Sequence, residues 1–253
     1  MTTRDDLRRQ AEGMRARLFG AHAPAAAHVP AELADLLSEI THGAVWSRPG
    51  LGLPERMICT LAALAANQRL PALGRHVGPA LDLGLTPLAI QEVCLQSLLY
   101  SGLAAMEDVL GECGRVFALR GVTPPPAPRD TASLEELTSR GTARMHEVHG
   151  TRAQQGYADP ANAVTGAMYP AAIRYGYGAI WFRPGLSMRE RALVSVAAFT
   201  ALRMTEQVAK FGAAALNTGL SRDQVIEAVI QTAPYGGFPP ALNALAALGA
   251  ALR

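Results

Sequence analysis

Trp46-Ser47-Arg48-Pro49-Gly50-Leu51 returns later in the chain as Trp181-Phe182-Arg183-Pro184-Gly185-Leu186, an offset of 135 residues since 181 − 46 = 135. The same offset holds without a gap as far as Gly102, which matches Gly237. A register kept over this length predicts one structural unit that was duplicated and fused. The period is far longer than a solenoid repeat, so we expect two small domains or half-domains. The matched residues between these ends include Glu55-Arg56 with Glu190-Arg191, Ala80-Leu81 with Ala215-Leu216, Gly84-Leu85 with Gly219-Leu220, Glu92 with Glu227, Gln96 with Gln231, and Tyr100 with Tyr235.

The two copies differ at polar positions. His76 aligns with Phe211, and Asn67-Gln68-Arg69 aligns with Leu202-Arg203-Met204. If each unit carries a polar site, the two sites have therefore diverged, and we expect only one of them to keep the full chemistry.

The composition is that of a globular protein. The 253 residues are 49% hydrophobic and 17% charged, which indicates a generous core. The net charge of +2 is too small to suggest nucleic-acid binding. The most apolar run, 57–66, has about half of the ~20 residues that a membrane span needs, so we expect a buried core helix and no membrane association. The N-terminus opens on charges without an apolar signal region, which favours a cytoplasmic protein.

Cys59, Cys94 and Cys113 form no CxxC motif and no metal-ligand spacing. Each lies in an apolar helical pattern, so we interpret them as small buried hydrophobic residues in a protein from a reducing compartment.

Nearly the whole chain has helical patterns, and strand signals are absent, which predicts an all-α fold. The run from Gly121 to Pro128 contains four prolines in five residues and predicts a semi-rigid spacer. We therefore expect a first unit over 1–120, a linker over 121–130 and a second unit over 131–253. The predicted helices cover 4–19, 31–42, 54–69, 71–83 with a cap at Gly84, the stretch from Thr86-Pro87 to 99, a last helix to 119, the stretch from the capping box at Ser133 to 149, a short helix at Asp159-Pro160, and helices opened by capping boxes at Ser187 and Ser221.

The ordered motifs resemble the carboxymuconolactone decarboxylase family, over about residues 5–119 and 135–251. The resemblance implies two tandem alkyl hydroperoxidase D-like helical units in one chain. It also implies a homo-oligomer, because the family commonly forms a ring of six single units and a fused pair would form a trimer that mimics it. The residues that carry the resemblance are the Trp-x-Arg-Pro-Gly-Leu string, the Glu-Arg of the following Ala-rich helix, Arg75-His76 before Ala80-Leu81, Gly84-Leu85-Thr86, Ile90-Gln91-Glu92-Val93 and Tyr100-x-Gly102.

This resemblance implies two branches of chemistry. The alkyl hydroperoxidase D-like branch uses a CxxC pair, but no such pair follows Glu55 or Glu190. Thiol-based peroxide reduction needs a thiolate and a resolving thiol close together, so we reject that branch. The other branch decarboxylates a lactone acid without a metal or an organic cofactor. His76 matches its histidine, whereas Phe211 departs from it and puts the second site in doubt.

Loss of CO₂ from a lactone acid leaves a dienolate, so the enzyme must hold the carboxylate, stabilise the developing charge and return a proton to carbon. His76 is our candidate general acid, because histidine titrates near neutral pH. The competing interpretation is a histidine that merely satisfies its hydrogen bonds on a helix. Arg75 beside it is either a solvated charge or a like charge that lowers the pKa of His76.

Four charged residues are candidates for the same site. Glu55 and Glu190 are catalytic candidates, although both sit third in their helices and suit a cap on backbone N–H groups. Arg48 and Arg183 suit a bidentate grip on a substrate carboxylate, and equally a structural pair with those two glutamates. Two further carboxylates, Glu92 and Glu227, lie among apolar neighbours, and a salt bridge at a subunit contact is favoured over catalysis.

Aromatic residues complete the list of substrate-binding candidates. Tyr100 and Tyr235 come where a helix breaks at glycine and can hydrogen-bond a substrate or the backbone. Trp46 and Trp181 flank the Arg-Pro-Gly loops, and aromatic residues could line a pocket for a flat substrate, with ordinary core packing as the alternative. The additional tyrosines of the second half, which hint at a larger substrate, are Tyr169, Tyr175 and Tyr177.

Three hypotheses follow. The first is a cofactor-free decarboxylase that acts on a lactone acid, with His76 as general acid. The second is a biosynthetic tailoring enzyme on the same fold, which performs decarboxylation, proton transfer or cyclisation on an aromatic or polyketide-like substrate. The third is a non-catalytic binding subunit, which the missing second histidine keeps open.

Overall fold

The regular structure is helical throughout in the computed structural model, which describes residues 3–20, 29–126, 129–154 and 162–252, and those residues contain no strand. The all-α prediction is confirmed. The helices are α1 (Arg4–Phe19), α2 (Ala31–Ser38), α3 (Leu53–Ala66), α4 (Leu70–Asp82), α5 (Pro87–Ser101), α6 (Met106–Leu119), α7 (Leu134–His149), α8 (Tyr169–Ala171), α9 (Met188–Ala201), α10 (Thr205–Ala215), α11 (Arg222–Gln231), α12 (Ala233–Gly236) and α13 (Phe238–Ala251), with two π-helical segments at Glu39–Trp46 and Ala172–Ala179.

Helices α3 and α9, which are copies of each other, pack together at the centre of the molecule. Every residue from Arg56 to Ala66 in α3 is buried, as is every residue from Arg191 to Ala201 in α9. A helix that is apolar on most faces needs partners all round, and helices of both halves supply them. One hydrophobic core therefore runs through both halves, and the predicted buried core helix is confirmed.

Most helix ends follow the predicted capping signals. The Thr86 hydroxyl accepts a backbone N–H at the start of α5, and Ser133, Ser187 and Ser221 each open a helix with a capping box. Gly84, just after α4, has a φ of 91°, which suits glycine. These boundaries were predictable because each signal acts within a single turn.

The predicted single helix over 31–42 is wrong in one respect. Helix α2 ends at Ser38, and the chain continues as a π-helical segment to Trp46. The wider turn brings Gly43 against α1, where a Cβ on this glycine would lie 2.5 Å from the backbone oxygen of Leu7. Only glycine permits this crossing without a backbone shift.

The second half contains an equivalent π-helical segment with a closely packed glycine. Its π-helical segment, Ala172–Ala179, places Gly178 against the backbone oxygen of Leu137 in α7. Isolated π turns are rare and are frequent at functional sites. In each half, the π-helical segment therefore places a glycine in close contact with a preceding helix, α1 in the first half and α7 in the second.

Two further expectations concern connecting segments. Residues 122–126, within the predicted linker, have no regular secondary structure. The predicted short helix at Asp159-Pro160 lies outside the described residues.

All three cysteines are buried, as expected. Burial raises the pKa of the Cys59 thiol to about 12, and a protonated thiol is a poor nucleophile. None of the described helices combines the length and apolar character that crossing a membrane requires.

Candidate functional site

His76 lies where helices of both halves meet. The residue is 8% exposed. Its ring makes edge-on contacts with Phe19 of α1 and with Tyr235 of α12, each with 5.5 Å between ring centroids. The first half thus supplies the imidazole, and the second half supplies the phenol that faces it.

The hydrogen bonds of His76 define its tautomer. Nδ1 lies 2.8 Å from the carbonyl oxygen of Ala72. A carbonyl can only accept, so Nδ1 carries the proton and Nε2 of the neutral ring is an acceptor. Nε2 lies 3.4 Å from the hydroxyl of Tyr235, which in turn accepts from Trp46 Nε1 at 2.7 Å. Because the indole can only donate, the proton of Tyr235 can point to His76, and the three side chains form one donor chain.

Burial and nearby charges set the protonation states of His76 and Tyr235 in this donor chain. The pKa of His76 is lowered to about 4, chiefly by burial; the hydrogen bond to Ala72 opposes this shift, and the nearby charge of Arg75 contributes to it. Burial raises the pKa of Tyr235 to about 12. At neutral pH the site therefore pairs a neutral imidazole with a protonated phenol.

A second histidine lies close by. His42, on the π-helical segment, also meets Phe19 edge-on, with 5.8 Å between centroids. Its Nδ1 is 3.1 Å from the hydroxyl of Ser38. Burial, then the neighbouring His76, lowers the pKa of His42 to about 4. The π turn and α4 thus bring two imidazoles to one aromatic ring.

A buried polar network connects the two halves beside this site. Glu227 of α11 accepts from Arg48 at 2.6 Å and from Arg56 of α3 at 2.8 Å. Arg56 also donates to Gln231 at 2.9 Å, and the Gln231 amide donates to the Thr60 hydroxyl at 3.1 Å. Every contact in this network joins the first half to the second.

The same network occurs once more with the halves exchanged. Glu92 of α5 accepts from Arg183 at 2.6 Å and from Arg191 of α9 at 3.1 Å. Arg191 donates to Gln96 at 3.0 Å, and Gln96 donates to Ser195 at 3.1 Å. Each residue stands 135 positions from its counterpart, so the halves face each other about a pseudo-twofold axis.

These pairs correct two expectations. Glu92 and Glu227 were assigned to a subunit contact, but both bind arginines of their own chain, in the opposite half. For Arg48 and Arg183 two roles were open, a grip on a substrate carboxylate or a pair with the capping glutamates, and the carboxylates they pair with are instead Glu227 and Glu92. The repeat alignment identifies equivalent residues, and it carries no information about which half a side chain turns to.

The two capping glutamates sit at the N-termini of the central helices. Glu55 accepts from the backbone N–H of Gly52 at 3.0 Å and also pairs with Arg189 of the other half at 2.9 Å. Glu190 accepts from the backbone N–H of Ser187 at 2.7 Å. Both therefore cap their helices, as one of the two interpretations expected.

The second half assembles a ring cluster at the equivalent place. Phe211 packs edge-on against His149 of α7, with 4.7 Å between centroids. His149 Nε2 lies 2.7 Å from the hydroxyl of Tyr177, whose ring is 5.6 Å from that of Trp181. Tyr100, contributed by the first half, lies 6.4 Å from Phe211. Both predicted tryptophans and both predicted tyrosines thus stand at the two ring clusters.

Comparison with known proteins identifies the family. The model of the carboxymuconolactone decarboxylase family matches residues 31–112 and 166–250, which together exceed half of the chain. The chain belongs to the carboxymuconolactone decarboxylase family. The two matched segments correspond to the two halves of the repeat.

Relatives support the assignment. The chain is 32% identical over 96 residues to a 4-carboxymuconolactone decarboxylase from Acinetobacter baylyi, an alignment that covers 38% of this chain and 72% of that protein. It is 35% identical over 68 residues to the nitrosuccinic acid decarboxylase npaB from Metarhizium robertsii, over 27% of this chain and 48% of that protein.

One solved structure matches nearly end to end. It is described as a gamma-carboxymuconolactone decarboxylase subunit from Burkholderia xenovorans LB400, with a TM-score of 0.57 and 19% identity over 97% of each chain. At this identity the match shows the fold alone, and that fold is the carboxymuconolactone decarboxylase fold.

Three residues of the ring clusters, Phe19, His42 and His149, were not among the site residues predicted from the sequence. His42 could have been found by extending the repeat backwards, because it stands 135 residues before Tyr177, another member of a ring cluster. Phe19 and His149 lie on α1 and α7, beyond the segments where that offset holds, so the alignment did not bring them into comparison.

Proposed function

We propose that the protein is a decarboxylase that acts on a small carboxylic acid in which an electron-withdrawing group accepts the charge left by CO₂, with a lactone acid as the first candidate. The relatives named as decarboxylases support this reaction class. The observation that carries the proposal is the donor chain Trp46–Tyr235–His76, which ends at Nε2 of a buried imidazole.

His76 moves the proton. The substrate arrives as a carboxylate, and a negative charge beside Nε2 favours the protonated ring, so His76 takes a proton from solvent as the acid binds. When the bond to the carboxylate breaks, CO₂ leaves and the electron pair stays on the substrate as an enolate. Nε2–H then delivers its proton to carbon, and the neutral imidazole returns. One acid and one proton give one product and one CO₂.

Tyr235 stabilises the charge that develops. Its oxygen already accepts from Trp46, so its own proton turns to the substrate oxygen once Nε2 carries a proton. A fixed donor aimed at an enolate oxygen, in a site with little water, is worth far more than the same donor in water. The high pKa of Tyr235, about 12, keeps the phenol protonated for this role.

Arg48 is our candidate for holding the substrate carboxylate. It binds Glu227 through Nε and Nη2, and its side chain is 42% exposed. The Nη1 edge of the guanidinium is then the part that meets an incoming carboxylate. Glu227 fixes the orientation of this edge by a bidentate pair, which lowers the entropy lost on binding.

A nitro acid is the second candidate substrate. One relative is named nitrosuccinic acid decarboxylase. Loss of CO₂ next to a nitro group leaves a nitronate, which carries its charge on oxygen as a dienolate does, and the same donors serve it. This substrate class fits a biosynthetic role for the fold as well as a role in breakdown.

The test is CO₂ release from γ-carboxymuconolactone and from nitrosuccinate. We expect turnover of at least one of them, and we expect His76→Ala to lower kcat/KM by about 10²–10⁴-fold, the usual contribution of a positioned acid. His146→Ala is the matched control, because His146 is exposed on α7. A full rate in His76→Ala would remove the general-acid role. Binding of both acids without CO₂ would make the protein a non-catalytic subunit.

A further inference from the structure

Helices α1 and α7, the first helices of the two halves before and after the linker, align at an offset that differs from the 135 residues of the rest of the repeat. Gly20 and Gly150, which end α1 and α7, both have positive φ values, of 83° and 57°. They are 130 positions apart, since 150 − 20 = 130. The carbonyls of Leu7 and Leu137, which meet the glycines of the two π-helical segments, are also 130 apart. Two independent features therefore give the same register for α1 and α7.

In this register a histidine and a phenylalanine exchange places between the halves. Phe19 corresponds to His149, since 149 − 19 = 130, and His76 corresponds to Phe211, since 211 − 76 = 135. Phe19 and His76 meet edge-on in the first half with an interplanar angle of 82°, and His149 and Phe211 meet in the second half with one of 83°. The imidazole missing from α10 is thus supplied by α7, in the same ring pair.

The relocated imidazole keeps a phenol partner. His149 Nε2 lies 2.7 Å from Tyr177 Oη, as His76 Nε2 faces Tyr235. Tyr100, the counterpart of Tyr235, lies 6.4 Å from Phe211, and its hydroxyl bonds to that of Ser195 at 2.8 Å. The second cluster therefore presents one histidine and two phenols.

The walls of the second cluster are more aromatic than those of the first. Phe199 stands where the first half has Leu64, and Tyr177 stands where it has His42. Phe199 lies 4.8 Å from Phe211 and 4.3 Å from Tyr100. These rings pack against one another in tilted and edge-on contacts, and a further aromatic ring can meet the edge of the cluster in the same geometry. The positive charge of Arg152 acts on His149, so the local field favours an anion.

We propose that the second half holds a second site, in which the partly exposed side chains of His149 and Tyr177 bind the carboxylate of a planar aromatic acid whose ring packs against the edge of this aromatic cluster. This second site rests on the proposed function in one respect: it assumes that an imidazole and a phenol bind carboxylic acids in both halves. Its ligand class differs from that of the first site, because the first site has a second histidine where this one has Tyr177.

Benzoate is the probe. In protein labelled with ¹⁵N-histidine, we expect benzoate to shift the ring resonances of His149 in both the wild type and His76→Phe. We expect His149→Phe to weaken benzoate binding about 10- to 100-fold, the size of one lost hydrogen bond to a charged group. His146→Phe, on the same helix, is the control and should bind as the wild type does.

A compensating exchange sharpens the test. Adding Phe211→His to His149→Phe gives the second half the arrangement of the first, with the imidazole beside Tyr100, and should recover benzoate binding. If His149→Phe fails to fold, Tyr177→Phe removes only one hydroxyl and takes its place. An unmoved His149 resonance at saturating benzoate, or wild-type affinity in the folded His149→Phe protein, would overturn the second site.

The result is separable from the proposed function. Absence of CO₂ release from either acid, together with a benzoate-dependent shift at His149, removes the decarboxylase proposal and leaves the second site standing. CO₂ release that depends on His76, with no response at His149, does the reverse.

Discussion

The polar networks at the centre and the ring clusters beside them come from the same duplication, but the two halves have kept them differently. Glu227–Arg56–Gln231 and Glu92–Arg191–Gln96 match residue for residue. The ring clusters match only at Trp46 with Trp181 and at Tyr235 with Tyr100, and His76 and His149 sit on helices that are not equivalent.

This difference separates two kinds of requirement. A buried charge without its partner is costly, so a change in one network residue damages the contact between the halves. A ring in a cluster can be exchanged for another ring of similar shape at little cost in packing. The halves therefore stayed alike where they contact each other through buried charges and diverged in the ring clusters.

The largest expected effect comes from breaking one network. Arg191→Met leaves Glu92 buried with only Arg183 beside it, and removal of one partner of a buried pair costs about 3–5 kcal/mol. Arg56→Met should cost less, because the Glu227 side chain is 9% exposed and that of Glu92 is 1% exposed. Denaturant unfolding of both variants measures the difference in free energy.

The control for this pair is Arg115→Met, which removes an exposed pair with Glu112 and should change stability by less than about 1 kcal/mol. Equal costs for Arg56→Met and Arg191→Met would contradict the ranking by burial. Costs no larger than that of the control would show that the networks do not hold the halves together.

Much of this symmetry could be predicted from the sequence, since the repeat register and the capping signals are local. The pairing of Glu92 with Arg191 could not, because it depends on which half each side chain faces. The role of His149 could not, because a five-residue difference between the two outer segments hides its equivalence to Phe19. Both failures arise at contacts between elements that are far apart in the chain.

The buried histidines of both ring clusters should make the stability of the protein depend on pH. Burial lowers the pKa of His42, His76 and His149 to about 4, whereas in the unfolded chain histidine titrates near 6.5. Between these values the unfolded state binds more protons than the folded state, so stability falls as the pH drops from about 6.5 to about 4. The loss is at most about 1.4 kcal/mol per pH unit for each histidine.

Urea midpoints measured across this range should therefore decline towards acid pH. Replacement of His76 or of His149 by Phe should each flatten the decline by one histidine's share. A profile that is flat from pH 6.5 to 4 would show that these rings are solvated in the folded protein.

The smallest effect distinguishes the two capping glutamates. Glutamine caps a helix as glutamate does, so Glu→Gln removes the charge and keeps the cap. Glu55→Gln should cost about 0.2–1 kcal/mol because it breaks the partly exposed pair with Arg189. Glu190→Gln should cost less, because position 54, the counterpart of Arg189, is a proline and the second half has no such pair.

Thermal unfolding and CO₂ release, measured on the same samples, separate the two interpretations of these carboxylates. A cap predicts small changes in stability and an unchanged rate in both variants. A rate lost in Glu55→Gln but kept in Glu190→Gln would instead place the Glu55 carboxylate in the His76 site, and it would extend the divergence of the halves from their ring clusters to their helix termini.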